Sequence, residues 1–425
     1  MGETASGPEY VVVHRALWVL PIVARPVPDG EVAVAGGRIV AVGRKLAGDA
    51  YVDHDGVLIP GLVNAHTHLQ YGPAFADLAL QGLPFAAWIA DVARRRAGMT
   101  EQSWLQEAEA SAAQALSSGT TAVADVVSSP AVAAGRGPLQ GISYIESVGI
   151  DSAAWASRER TRLAAAFDGG GESGDGGNDG APELGVSPHT PYTIGTQVYG
   201  ELVAFARARG RRMHPHVAES AAEVEFVATG GGPLCAMLGR FGLRMELLGR
   251  GSGLSPTAYV DSVGGLGSDV HIAHGVYAGA ADRELLRRRG TAVALCTRSN
   301  RILQAGAAPV AAYRAEGNPV AVGTDSLSSS PDLDLLAELR ALRELALAQG
   351  TSPAGLDEWL VRAATAGGAL ALGRGPGTPD PFGILAPGAR ADLAVVQGDP
   401  DVDPCATVVS GRAVATYLAG EKVFG

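Results

Sequence analysis

The sequence predicts an α/β fold, a parallel (β/α)8 barrel carrying a small β-sandwich domain assembled from both chain ends. Three observations predict it. Short β-branched or apolar runs alternate with Ala-, Leu- and Arg-rich stretches from about residue 59 to 372; the two ends share a hairpin-like pattern that the middle lacks; and several apolar runs of the middle stop on a histidine or an acid.

The chain opens with alternating runs such as "EVAVAGGRIVAVG" (31 to 43), in which a Gly-Gly turn separates two apolar stretches as in a hairpin. The same grammar returns in "GARADLAVVQG" (388 to 398) and "GRAVATYLAGEKV" (411 to 423). Residues 1–58 and 373–425 are therefore expected to pair into one composite β domain, and residues 59–372 to form the barrel. Within the barrel "EQSWLQEAEASAAQALSS" precedes "GTTAVADVV", and "AADRELLRRR" precedes "TAVALC", a helix-then-strand order repeated along the segment. One stretch interrupts it, "DGGGESGDGGNDG" (168 to 180), which composition marks as a flexible loop without chemistry.

A length of 425 residues, with 47% hydrophobic and 18% charged, suffices for one large domain and a small one. The formal net charge of -11 is spread along the chain, which argues against nucleic acid and anionic membrane as partners, since phosphates need a clustered basic footprint. A small-molecule substrate is expected instead, in the cytoplasm: "MGETASGPEYVVV" has no basic segment before its apolar run, and no window is long and apolar enough to span a bilayer. Cys235, Cys296 and Cys405 lie far apart with no CxxC pair, so a metal would need histidine and carboxylate ligands.

Reactive side chains of a (β/α)8 barrel sit at the carboxyl ends of its strands. Polar residues ending apolar runs are His66 and His68 in "PGLVNAHTH", His189 in "LGVSPHTPY", His216 and Glu219 in "RMHPHVAES", His274 in "VHIAHG" and Asp325 in "NPVAVGTD". Residues i and i+2 of an extended chain point the same way, which lets His66 and His68 converge on one ion. A further strand-end histidine and aspartate would supply the remaining ligands that zinc or iron(II) accepts. By the same alternation His214 is read as lying one layer below His216, and His271 as packing on the outer face. His14 and His54 are read as surface residues of the terminal β domain.

The motifs "PGLVNAHTHL", "HVAES", "IAHGVYA" and "VGTDSLSS", in that order, resemble the amidohydrolase superfamily in its cytosine/guanine/adenosine-analogue deaminase branch. The resemblance implies a distorted TIM barrel with a small β-sandwich, one divalent metal on His66, His68, His216 and Asp325, and loss of ammonia from an aminated heterocycle. It assigns Glu219 as proton shuttle, His274 as the group orienting the attacking hydroxide, and Asp325 as acceptor of the water's proton. Branches that bridge two metals use a carbamylated lysine on the fourth strand. Of the 33 basic residues only Lys45 and Lys422 are lysine, both in the terminal β regions, and His189 occupies the fourth-strand position. One metal is therefore expected, zinc in preference to iron(II).

For the substrate, the resemblance singles out His189, together with Arg298 and Asn300 of "LCTRSN" and Gln70 and Trp88 of the first barrel loop. The methylthioadenosine/S-adenosylhomocysteine deaminases carry an acid in an "FEEW"-like loop, where this chain has "FAAW" (85 to 88). Aminofutalosine deaminases are similar in "NAHTHL", "RSN" and the "GLPF" loop, and Arg298 would pair with their substrate's carboxylate. They usually have Glu where this chain has Gln70. An aminofutalosine-like adenine nucleoside is the expected substrate. Guanine, cytosine or pterin deamination, triazine dechlorination or deamination, and an inactive binding protein are the alternatives. For assembly, a homodimer is expected.

Overall fold

A computed structural model describes residues 10–83, 85–168, 182–399 and 401–425. The Gly-rich stretch 168–180 lies, beyond Asp168, outside the described residues.

The chain begins with β1 (Val12–Val19), β2 (Val27–Ala35), β3 (Arg38–Gly43) and β4 (Ala50–Pro60). Gly36 and Gly37, at φ of 54° and 75°, make the β2–β3 turn, a backbone that residues with a Cβ rarely adopt. Eight strands then follow: β5 (Leu62–Thr67), β6 (Thr120–Val127), β7 (Gln140–Ser147), β8 (Glu183–Pro188), β9 (His216–Val217), β10 (His271–His274), β11 (Ala292–Leu295) and β12 (Val320–Val322). The end of the chain contributes β13 (Leu393–Gln397), β14 (Arg412–Leu418) and β15 (Glu421–Phe424).

Strands β5 to β8 and β9 to β12 form two parallel four-stranded arrays. Parallel bridges close them into a barrel, Thr67 with Asp325 at one seam, and Met213 with both Val186 and Val270 at the other. Helices cover the outside as the alternation predicts. The helix Glu101–Ser117 starts on Thr100, whose Oγ1 accepts the Ser103 N–H at 3.1 Å, and Ala280–Arg289 ends on three arginines that complement the negative end of its dipole. Small side chains, Val63, Ala65, Ala122, Ala124, Ala294 and Ala321, pack together inside the barrel, where eight strands leave little room. Their neighbours Leu62, Val123, Ile272 and Val293 join the larger core shared with the helices.

The terminal strands form one seven-stranded sheet, ordered β15-β14-β13-β4-β1-β2-β3. Both chain ends contribute to it as expected, and the sandwich is a single sheet rolled on itself. Its β3 edge meets the segment leading into β13, with Ile39 N–H donating to Ala389 O at 2.9 Å, so that edge is covered. Lys45 follows β3 and Lys422 lies in β15, both outside the barrel. His14 is fully buried, its Nδ1 3.0 Å from Nε2 of the half-buried His54, and both rings pack edge-on against Tyr417. The surface reading is corrected for His14: on β1, an interior strand of the sheet, it faces the inside of the roll. Among the described residues no helix is long and apolar enough to cross a membrane.

Candidate metal centre

Strand β4 passes through Gly61 directly into β5, the first barrel strand, and the site begins where β5 ends. A register shift between Asn64 and Thr67 breaks the alternation, so Ala65 fills the interior layer while His66 still turns into the barrel mouth. Asn64 ties this segment to the end of β12: its Nδ2 donates to Thr324 Oγ1 at 2.7 Å and its Oδ1 accepts the Thr324 N–H at 3.1 Å. Asp325 N–H donates to His66 O at 3.0 Å, and Thr67 Oγ1 donates to Asp325 O at 2.9 Å. A Cβ on Gly323 would sit 2.7 Å from His66 Cβ, so only glycine lets the two strand ends approach this closely.

The predicted ligands converge. Ligand atoms of His66, His68 and Asp325 lie within 4.8 Å of one another, as do those of His66, His216 and His274. His68 Nε2 is 3.1 Å from His216 Nε2, and Asp325 Oδ1 is 3.6 Å from His66 Nε2 and 3.9 Å from His68 Nε2. His216 Nδ1 is 3.1 Å from the His189 carbonyl, which only accepts, so the proton sits on Nδ1 and Nε2 carries the free lone pair. His66 Nε2 is buried without a hydrogen-bond partner. Asp325 Oδ2 accepts from Ser299 Oγ at 2.7 Å and Ser329 Oγ at 2.8 Å, which holds its other oxygen toward the histidines. Burial, reinforced by the neighbouring imidazoles, keeps His66 and His68 well below the usual histidine range and so neutral, the form that binds metal. This N3O donor set fits a divalent cation such as zinc.

Two reactive strand ends are strained. His274 and Asp325 have φ of 72° and 59°, in the left-handed region that non-glycine residues avoid. The kink explains a correction on β10. His271 is fully buried within the barrel, its ring stacked 3.9 Å from His214, where strict alternation from His274 had turned it outward. Ile272 takes the outer face instead, and the positive φ swings His274 back inside. Ala218, before Glu219, is also left-handed at φ 57°. The buried Glu223 carboxylate accepts the N–H groups of Ala218 at 2.9 Å and Glu219 at 2.7 Å, pinning that turn. Glu219 reaches the mouth, its Oε1 3.5 Å from His274 Nε2. Burial, with Asp325 and Glu223 nearby, holds its carboxyl well above the ordinary range.

A cavity of about 300 Å³ opens over these groups, with His68, His216, Glu219, His274 and Asp325 at its floor and Trp88, Tyr192, Met237, Leu238, Phe241 and Leu243 on its walls. Two of the five residues proposed for substrate contact reach it, His189 and Trp88. The other three do not line it. Arg298 is spent on Asp332 Oδ1 at 2.8 Å and Asp334 O at 3.2 Å, with Glu338 behind it. Asn300 lies against His274, its Nδ2 3.1 Å from Nδ1. Gln70 is buried, with Oε1 accepting the Ser128 N–H at 3.1 Å. The cavity also has a polar corner absent from the sequence reading, Glu146, whose Oε2 is 3.4 Å from Arg96 NH1 and whose Oε1 is 3.8 Å from His189 Nε2. Glu146 nearly ends the apolar run "SYIES" on β7, so the strand-end rule that found the histidines applies to it too; Arg96 is hidden in the "ARRR" run of a helix.

Residues 57–415 match the amidohydrolase family. The chain is 34% identical over 411 residues to a 5-methylthioadenosine/S-adenosylhomocysteine deaminase of Halobacterium salinarum, covering 92% of this chain and 85% of the relative. An aminodeoxyfutalosine deaminase of Deinococcus radiodurans is 31% identical, over 81% of this chain and 80% of its own length. Among solved structures, an adenosine deaminase from Xanthomonas campestris with bound zinc superposes with a TM-score of 0.80 at 26% identity, over 98% of this chain and 94% of that one. The barrel, its histidine and aspartate cluster and the family match agree: the chain is a member of the amidohydrolase family, a hydrolase that acts on carbon–nitrogen bonds.

Proposed function

We propose that the chain hydrolytically deaminates an adenine-type nucleoside derivative, exchanging its exocyclic amino group for oxygen and releasing ammonia. The observation that carries the reading is Glu219: three residues beyond His216, buried at the cavity floor and beside His274, it can hand a proton to the heterocycle bound above. Zinc is the expected ion, with iron(II) as the alternative, held by His66, His68, His216 and Asp325. When bound, such an ion makes water a competent nucleophile at neutral pH.

The protein's own groups divide the remaining work. Glu219 protonates a ring nitrogen, which makes the amine-bearing carbon electrophilic, and then carries a proton to the departing ammonia. Asp325 takes the proton from the attacking water, and His274, held by Asn300, orients it. The apolar walls receive a flat base, with Trp88 anchored through its Nε1–H to Ser328 O at 2.8 Å. His189, which burial and Arg96 lower to about 3, is neutral and so offers a hydrogen bond rather than a charge. With Arg298 engaged away from the cavity, Arg96 is the guanidinium on its wall, and it would have to exchange or share Glu146, 3.4 Å away, to meet a substrate carboxylate. The names of the deaminase relatives support an adenine-type base. An ammonia-release screen of the zinc-loaded protein against adenosine derivatives, aminofutalosine, guanine, cytosine and pterins tests the reading. Release from one or more adenine nucleosides is expected; release from none of them would sink it.

A further inference from the structure

Beneath the site, two imidazoles that the proposed chemistry does not use, His214 and His271, connect to His66 along the barrel interior, His214 stacked on His271 and edge-on to His66. His214 Nδ1 is 2.9 Å from the His271 carbonyl, and His214 Nε2 is 2.8 Å from His66 Nδ1. His271 Nε2 lies 3.0 Å from the carbonyl of Ala65, the residue before His66. All three rings are fully buried.

The carbonyls impose an order. A carbonyl accepts and never donates, so His214 carries its proton on Nδ1, and its Nε2 is left as an acceptor in the neutral ring. The partner of that acceptor must then donate, which puts the His66 proton on Nδ1. His66 Nε2 is thereby a bare lone pair, and it is the atom that faces Asp325.

We infer that His214 is a positioning residue: its ring, oriented by the His271 carbonyl, holds His66 in the one tautomer whose Nε2 can ligate the metal. The return contact from His271 to Ala65 O makes the arrangement a closed circuit through β5, Met213–His216 and β10, so ring order and barrel closure are mutually dependent. Metal-binding histidines commonly donate their second nitrogen to a carboxylate or carbonyl, and losing that partner typically weakens the metal by 10- to 100-fold. Here an imidazole takes that place and relays the direction of a carbonyl one residue further away.

The inference rests on the metal reading above, and two measurements separate their failures. Zinc affinity is measured by chelator competition for the native protein, His214→Gln and His214→Leu, with the absorption spectrum of the cobalt-substituted forms recorded alongside. Gln can accept from His66 and donate to the His271 carbonyl, so it should stay within a few-fold of native with an unchanged cobalt spectrum. Leu can do neither, and should lose 10- to 100-fold with an altered spectrum. Leu binding zinc as tightly as native would overturn the role of His214; native protein that binds neither ion would instead overturn the metal reading. Should the Leu variant fail to fold, nitrogen NMR of histidine-labelled native apoprotein decides the matter: both His66 and His214 should carry the proton on Nδ1, and an Nε2 proton on either removes the inference.

Discussion

Glu219 and His216 are three residues apart in sequence yet have separable duties, which substitutions should expose. Glu219→Gln keeps the shape but cannot shuttle a proton; metal content should hold near native while kcat falls by about 10²- to 10⁴-fold. His216→Ala should instead lose the metal, read by elemental analysis of the purified protein. Unchanged turnover in the first variant would remove Glu219 from the reaction. Arg298 gives the contrary expectation. Its guanidinium is bound to Asp332, and it covers Glu338, whose carboxyl burial pushes up to about 8. Arg298→Ala should therefore cost stability, roughly 3 kcal/mol by denaturant midpoint, and leave KM nearly unchanged. A large KM increase at native stability would return Arg298 to the substrate. The convergence of His66, His68, His216 and Asp325 was legible because metal chemistry restricts residue type. Arg298 was not, because an arginine beside a site reads the same in sequence whether its partner is a substrate or a protein acid.

Elements were legible wherever burial imposes a period, as in the helices Glu101–Ser117 and Ala280–Arg289 and the strands that follow them. They failed where a single backbone angle breaks the period. The positive φ of His274 put His271 on the wrong face of β10, and nothing in "HIAHG" announces that kink. Chain crossing is equally hidden: Gly323 is one of 58 glycines, and its importance comes from lying against His66 across the seam between β12 and β5. Gly323→Ala should separate the two strand ends, costing about 1–3 kcal/mol in stability and lowering zinc stoichiometry. Native stoichiometry and native melting in this variant would show that the seam tolerates a methyl group.

For the molecule as a whole, the alternation and the matching chain ends were enough to place a barrel and a composite sheet, while the rolling of that sheet was not, since edge-to-edge closure depends on twist summed over seven strands. The roll buries His14, whose pKa falls to about 4 through burial and the adjacent His54. Between about 4 and the ordinary value of 6.5 the unfolded chain binds the proton that the folded one refuses, so stability drops as pH falls through that window. His14→Phe should flatten the melting temperature against pH between 7 and 4 by an amount equivalent to about 3 kcal/mol. Parallel curves for variant and native would place the acid sensitivity elsewhere. The same sheet also leads into the site. β4, which runs through Gly61 into the His66–His68 segment, is hydrogen-bonded on one side by β13, from almost the far end of the chain. The strand that leads to His66 and His68 gains its second neighbour only from residues 393–397, so the two ends of the barrel segment are tied together through one pair of strands.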